Sequence, residues 1–98
     1  MKEVAKYHIS DKFIVTGRGL VFAGYIIEGQ IKTGDVIQFC YNDLTVVRKI
    51  KGIEQSMNIE RVFDGLNTGI LIECTNEEEI QQIRSSILKD VKVPIFES

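Results

Sequence analysis

Apolar and polar side chains alternate along most of the chain, which is the period of a half-buried strand. Ala5, Tyr7 and Ile9 against Lys6 and His8 predict one strand, and Phe13, Ile14 and Val15 predict a short second one. Residues 20–27 predict a longer strand whose interior Gly24 marks a bulge or a tight barrel bend. Residues 35–41 and 44–53 read as a hairpin joined by Asn42-Asp43, two residues that tolerate positive φ. The pattern lapses between Gln55 and Asp64, where a loop is expected, and resumes as a strand over residues 69–74. Asn76 then predicts a helix N-cap. Glu79 stands three residues on as in a capping box, Glu77 and Glu78 suit the positive end of the dipole, and Ile80, Ile83 and Ile87 form an apolar stripe that should end near Lys89. Residues 91–96 predict a closing strand, which Pro94 should confine to an edge or barrel end.

Six or seven short strands and one short C-terminal helix predict a mainly β protein, a single antiparallel barrel over residues 1–98. Composition agrees. The chain has 24 Ile and Val against 7 Ala and Leu, and β-branched side chains suit a pleated surface. Ninety-eight residues leave room for one core, and 44% hydrophobic content is enough to build it without metal or disulfide support. No run approaches the 18 or more apolar residues of a membrane span, and residues 1–6 lack the apolar stretch of a signal peptide. The expected compartment is the cytoplasm.

Net charge is −2, which argues against a dense phosphate-neutralising surface. Its distribution is uneven, at +3 over residues 1–52 and −5 over residues 53–98. Cys40 and Cys74 form no Cys-x-x-Cys pair and His8 is the only histidine, so a zinc site lacks ligand pairs and both thiols are expected to be reduced and buried in strands. Two nucleotide-binding signatures fail on chemistry. Gly24 is followed by Tyr25-Ile26 where a P-loop needs Lys and Ser/Thr, and Phe22 stands where G-x-G-x-x-G needs its last glycine. His8 has no nucleophile placed beside it by any local motif, and the triplet Glu77-Glu78-Glu79 reads as helix capping. The expectation is a non-enzymatic protein without cofactor or metal.

The segment from Phe13 to Phe39 carries a specific pattern: Phe13, Gly17, Arg18, Gly19, Val21, Gly24, Ile26, Gly29, Ile31, Lys32, Gly34, Asp35 and Ile37 at fixed spacing. It closely resembles the second domain of translational GTPases of the elongation factor Tu type. The likeness continues through residues 50–54, 64–72 and 77–80, and covers about 70 of the 98 residues. It implies a translation-protein β-barrel, here standing alone, with no direct GTP binding. It also implies a site. Phe13 and Gly17 would lie beside a pocket for the 3′ end of transfer RNA, Glu54 and Asn67 would supply polar groups to it, and Arg18 would sit on its rim. Ala23 departs from the family's threonine, Met57 or one of its neighbours replaces the basic residue after the Glu54 position, and residues 81–90 replace a final glycine and Val-Leu strand. The partner implied is RNA or a ribosome-associated protein, with Phe13, Tyr25, Phe39 and Tyr41 as possible stacking faces. The alternative is a protein–protein interaction module, such as the partner of a separate GTPase, without RNA binding.

Overall fold

Residues that alternate in the sequence alternate in space. Ala5, Tyr7 and Ile9, Leu20 and Phe22, Ile37 and Phe39, Ile70 and Ile72, and Val93 and Ile95 all turn into one common core. They are carried by six antiparallel strands in a computed structural model that describes residues 2–55 and 68–98. The strands are β1 (Glu3–Val15), β2 (Gly19–Gly29), β3 (Val36–Tyr41), β4 (Leu44–Gln55), β5 (Thr68–Ile72) and β6 (Val91–Phe96), with helix α1 (Glu77–Ser85) before β6. They close into a barrel in the order β1-β2-β5-β4-β3-β6. Inside it Phe22 meets Phe39 edge to face at 5.1 Å, and the Tyr7 hydroxyl donates to the Thr68 carbonyl at 2.6 Å. Burial raises the Tyr7 pKa, as expected for a phenol that must stay protonated.

The two strands expected at Ala5–Ile9 and Phe13–Val15 are one. Pairing with β2 steps from Ile9↔Gly24 to Asp11↔Ala23, so Ser10 is an extra residue and the strand continues through a bulge. The bulge inverts the alternation. Before it the odd residues point inward; after it Lys12 pairs with buried Phe22 and Ile14 with buried Leu20, while Phe13 turns out with Val21. The reason lies in Gly24, where a Cβ would stand 1.8 Å from the His8 carbonyl oxygen. Two backbones come together at this point, and only glycine leaves room.

The hairpin over Asn42-Asp43 forms as expected, with φ of 48° and 67° at the two turn residues, the signs of a type I′ turn. Before β3, the Asp35 carboxylate accepts from the Lys32 amide at 3.0 Å, and Gly34 adopts φ 103° to complete the turn. Pro94 is not at an edge: β6 lies between β1 and β3 in a closed barrel. The missing proline donor is accommodated because pairing with β3 covers only Val36↔Phe96 and Ile37↔Ile95, stopping one residue short of it. The strand expected over residues 69–74 spans Thr68–Ile72, and the expected loop after Gln55 falls mainly outside the described residues.

Helix α1 begins as expected, with the Asn76 side chain accepting from the Glu79 amide at 2.9 Å. It ends at Ser85 rather than near Lys89. Ser86 stops it by bonding both its amide and its hydroxyl to the Ile83 carbonyl, a local alternative to another helical turn. Ile83 is buried, but Ile87 lies beyond the helix and is 95% exposed, so the expected three-isoleucine stripe is broken. The helix packs against β1 and β2, and Lys12 Nζ holds the following segment through the Leu88 carbonyl at 2.9 Å. Burial and nearby Lys89 lower the Lys12 pKa, partly offset by Asp11.

Gly24→Ala should force β1 and β2 apart. We expect its melting temperature to fall by at least about 10 °C, from a loss of about 2 kcal/mol or more, in a thermal melt against wild type. A shift within about 2 °C would contradict this account of the bulge.

Candidate functional site

The turn between β1 and β2 projects Arg18, whose amide donates to the Val15 carbonyl at 2.9 Å. Glu54 lies on β4 opposite Gly69 of β5, and its carboxylate stands 3.9 Å from an Arg18 guanidinium nitrogen. Residues 36 positions apart in the chain are thereby brought together. Their side chains are 54% and 74% exposed, so solvent screens the pair and its charges remain available to a ligand. Phe13, 44% exposed, faces the same outer surface beside Val21. Cross-strand pairing extends that row from Phe13 through Val21 and Leu71 to Gly52. The neighbouring row runs Asp11, Ala23, Gly69, Glu54. A Cβ on Gly69 would meet Val21 at 3.6 Å and one on Gly52 would meet Leu71 at 3.7 Å, both at ordinary van der Waals distance, so Val21 and Leu71 lie close over the two glycine positions. The result is an apolar floor across four strands with a paired cation and carboxylate at its side.

Gly17 stands in the turn before Arg18. Asn67 and Met57 lie outside the described residues. Two of the suggested stacking faces are corrected by the barrel: Phe39 and Tyr41 are buried, at 2% and 6% exposure, because their positions on β3 alternate inward. Tyr25 faces outward and stacks on His8 with ring centroids 4.8 Å apart. His8 Nδ1 is 3.1 Å from the Ser10 hydroxyl in the bulge.

A second polar centre had no sequence motif. Glu79 is more than a capping residue. Its carboxylate accepts from Arg48 Nε at 3.0 Å, from the Tyr41 hydroxyl at 3.1 Å and from the Thr75 amide at 2.7 Å, and a second Arg48 nitrogen completes a two-pronged contact. The expected capping box is altered, since Glu79 reaches back to Thr75 rather than to Asn76. The Glu79 side chain is only 8% exposed, and the Arg48 hydrogen bonds, with those from Thr75 and Tyr41, outweigh burial and lower its pKa to about 2. Alternation on β4 and the helix period on α1 each place one member. Nothing local reveals that they meet.

Both cysteines are free, but Cys40 is exposed rather than buried, because it lies on the outer side of β3. Cys74 is half-buried and its thiol is pushed up to about 11, chiefly by burial and by Glu79, which leaves it protonated and unreactive at neutral pH. Shallow clefts of about 240 Å³ beside Cys74 and about 350 Å³ between α1 and Asn42 do not include Phe13, Arg18 or Glu54. Among the described residues, no group of three His, Cys, Asp or Glu side chains could hold a metal ion. No described helix is long and apolar enough to cross a membrane. No protein-family model matches the chain.

The Glu79 centre should set the acid stability of the fold. Its pKa is lower in the folded than in the unfolded chain, so its stabilisation is present above about 4.5 and is lost as pH falls towards about 2. Denaturant titrations across that range should show the loss. Glu79→Gln should lower stability at neutral pH by about 2–4 kcal/mol and flatten this part of the profile; an unchanged profile would remove Glu79 as its cause.

Proposed function

We propose that this barrel is a non-catalytic binding module of the translation-factor type that holds the end of a single-stranded RNA against the Phe13–Arg18–Glu54 face. The observation that carries the reading is the convergence of Arg18 and Glu54, at 3.9 Å, on the outer barrel surface to which Phe13 also turns, with β2 and β5 between Phe13 and Glu54. An aromatic ring offers a base a sequence-tolerant stacking surface. Arg18 supplies donors for a phosphate, and the Glu54 carboxylate accepts from a ribose hydroxyl or an exocyclic amine. The resemblance supports the same assignment and adds Gly17, from residues 13–39, and Asn67, from the looser likeness over residues 64–72, to the site. The ligand class is the 3′ end of transfer RNA or a similar RNA end, and the setting is cytoplasmic translation. Weak overall charge is compatible with recognition of an end, which requires few phosphate contacts.

The apolar row Phe13–Val21–Leu71 favours a second reading, in which the face docks a ribosome-associated protein or a separate GTPase. Salt separates the two. RNA affinity should fall as salt rises in proportion to the phosphates contacted, whereas an apolar protein contact should hardly change.

Labelled aminoacylated and deacylated transfer RNA should bind saturably below about 100 μM, which is the weak limit of non-specific nucleic-acid binding, so loss of affinity in the site variants is what identifies the site. Phe13→Ala should weaken binding by about 1–3 kcal/mol, as loss of one stacked base does. Arg18→Ala, Glu54→Ala and Asn67→Ala should each weaken it without altering the far-ultraviolet spectrum. Absence of saturable binding by the folded wild type would eliminate the RNA reading and leave protein docking.

A further inference from the structure

The bulge at Ser10 places two aromatic sites on one outer surface. His8 is an even-numbered residue ahead of the extra residue and Phe13 an odd-numbered one behind it; in a regular strand they would face opposite sides of the sheet. Here both face outward on β1, and so do their partners Tyr25 and Val21 on β2. Tyr25 lies four positions beyond Val21 on β2, a run of about 13 Å at strand rise. A nucleic-acid strand advances by about 3.4 Å per nucleotide when stacked and by more when extended, so about 13 Å is spanned by at most about four nucleotides.

Charge follows the same path. Lys92 of β6 is the cross-strand neighbour of His8, and Lys6 lies two residues further along β1, opposite Pro94 and Glu28. Lys6 is held by Glu3, and Asp11 lies between the two aromatic sites, so the surface is only mildly basic. Such a balance suits stacking with few phosphate contacts rather than a duplex clamp.

We propose that the His8–Tyr25 ring pair is a second base-binding site, which takes the nucleotides preceding the RNA end held at Phe13 and uses Lys92, level with His8 on β6, for a phosphate of the nucleotide stacked there. The inference rests on the RNA reading and adds to it a path along β1 and a minimum ligand length. A ligand that ends at Phe13 gains from the second site only when it is long enough to reach Tyr25.

Fluorescence anisotropy with oligouridines of about two, about five and about eight nucleotides tests the path. Affinity should rise at least about fivefold between the first two lengths, the gain from stacking one further base, and change little thereafter. Tyr25→Leu and His8→Ala, each checked for folding by circular dichroism, should abolish that rise while leaving the shortest ligand unaffected. Lys92→Ala should reduce the salt slope for the longer ligands by about one. Affinity independent of length, or a length gain that survives both ring substitutions, overturns the second site while leaving Phe13 recognition standing. Failure of the folded wild type to bind any length overturns the RNA reading itself, and the second site with it.

Discussion

The close approach of β1 and β2 at Gly24 is the constraint on which the arrangement depends. A backbone carbonyl occupies the space where any other residue would carry a Cβ, at the point where β1 holds one extra residue, Ser10, against β2; a second shift, where β2 holds Ile27 as its extra residue, restores the count further along. The extra residue bends the strand and raises its local twist, which is how a long strand follows the curve of a small closed barrel. It also inverts the facing of everything after it. Lys12 is directed towards the helix segment, Ile14 is set opposite buried Leu20, and Phe13 turns out beside Val21. Core, helix anchorage and candidate site thus share one local cause.

The helix is attached by different physics. Its nine residues are too few to be stable alone, and Ile83 is its one fully buried apolar anchor. The Glu79 carboxylate compensates by gathering donors from β3, β4 and the helix's own approach, so that a charge removed from water is met on both oxygens. Such a pair adds less net stability than its Coulomb attraction suggests, because desolvation opposes it, yet removing one partner leaves the other uncompensated. The centre fixes where α1 sits and does not require outside chemistry to explain it.

The outer face has a different character. Its floor is made of small and branched apolar residues, and the Arg18–Glu54 pair at its side is exposed and loosely spaced. Strained, deeply buried ionisable groups, the usual mark of an acid–base site, are not gathered there among the described residues. A broad surface with a ring and one donor–acceptor pair is suited to holding a planar, partly polar group. That is the physical content of the binding-module proposal.

Local pattern reached far in this chain. Alternation located the strands of the hairpin, Asn42-Asp43 its turn, Asn76 the start of the helix, and the strand count the barrel. Each depends on neighbours within a few residues, where side-chain period, φ preference and capping act directly. Gly24 showed that something unusual happens on β2, but the extra residue is on β1, and its effect on Phe13 was invisible without the register. Likewise Pro94 signalled a limit to pairing, while only closure revealed that β6 has a neighbour on each side. Glu79 read as a cap because its nearest backbone donors are local; Arg48 and Tyr41 reach it from strands more than thirty residues away. The sequence by itself therefore determined the kinds of element and the barrel they build. Tertiary structure alone decided which residues face outward together and which charges meet, because register and closure are set by contacts between strands, and these have no fixed spacing along the chain.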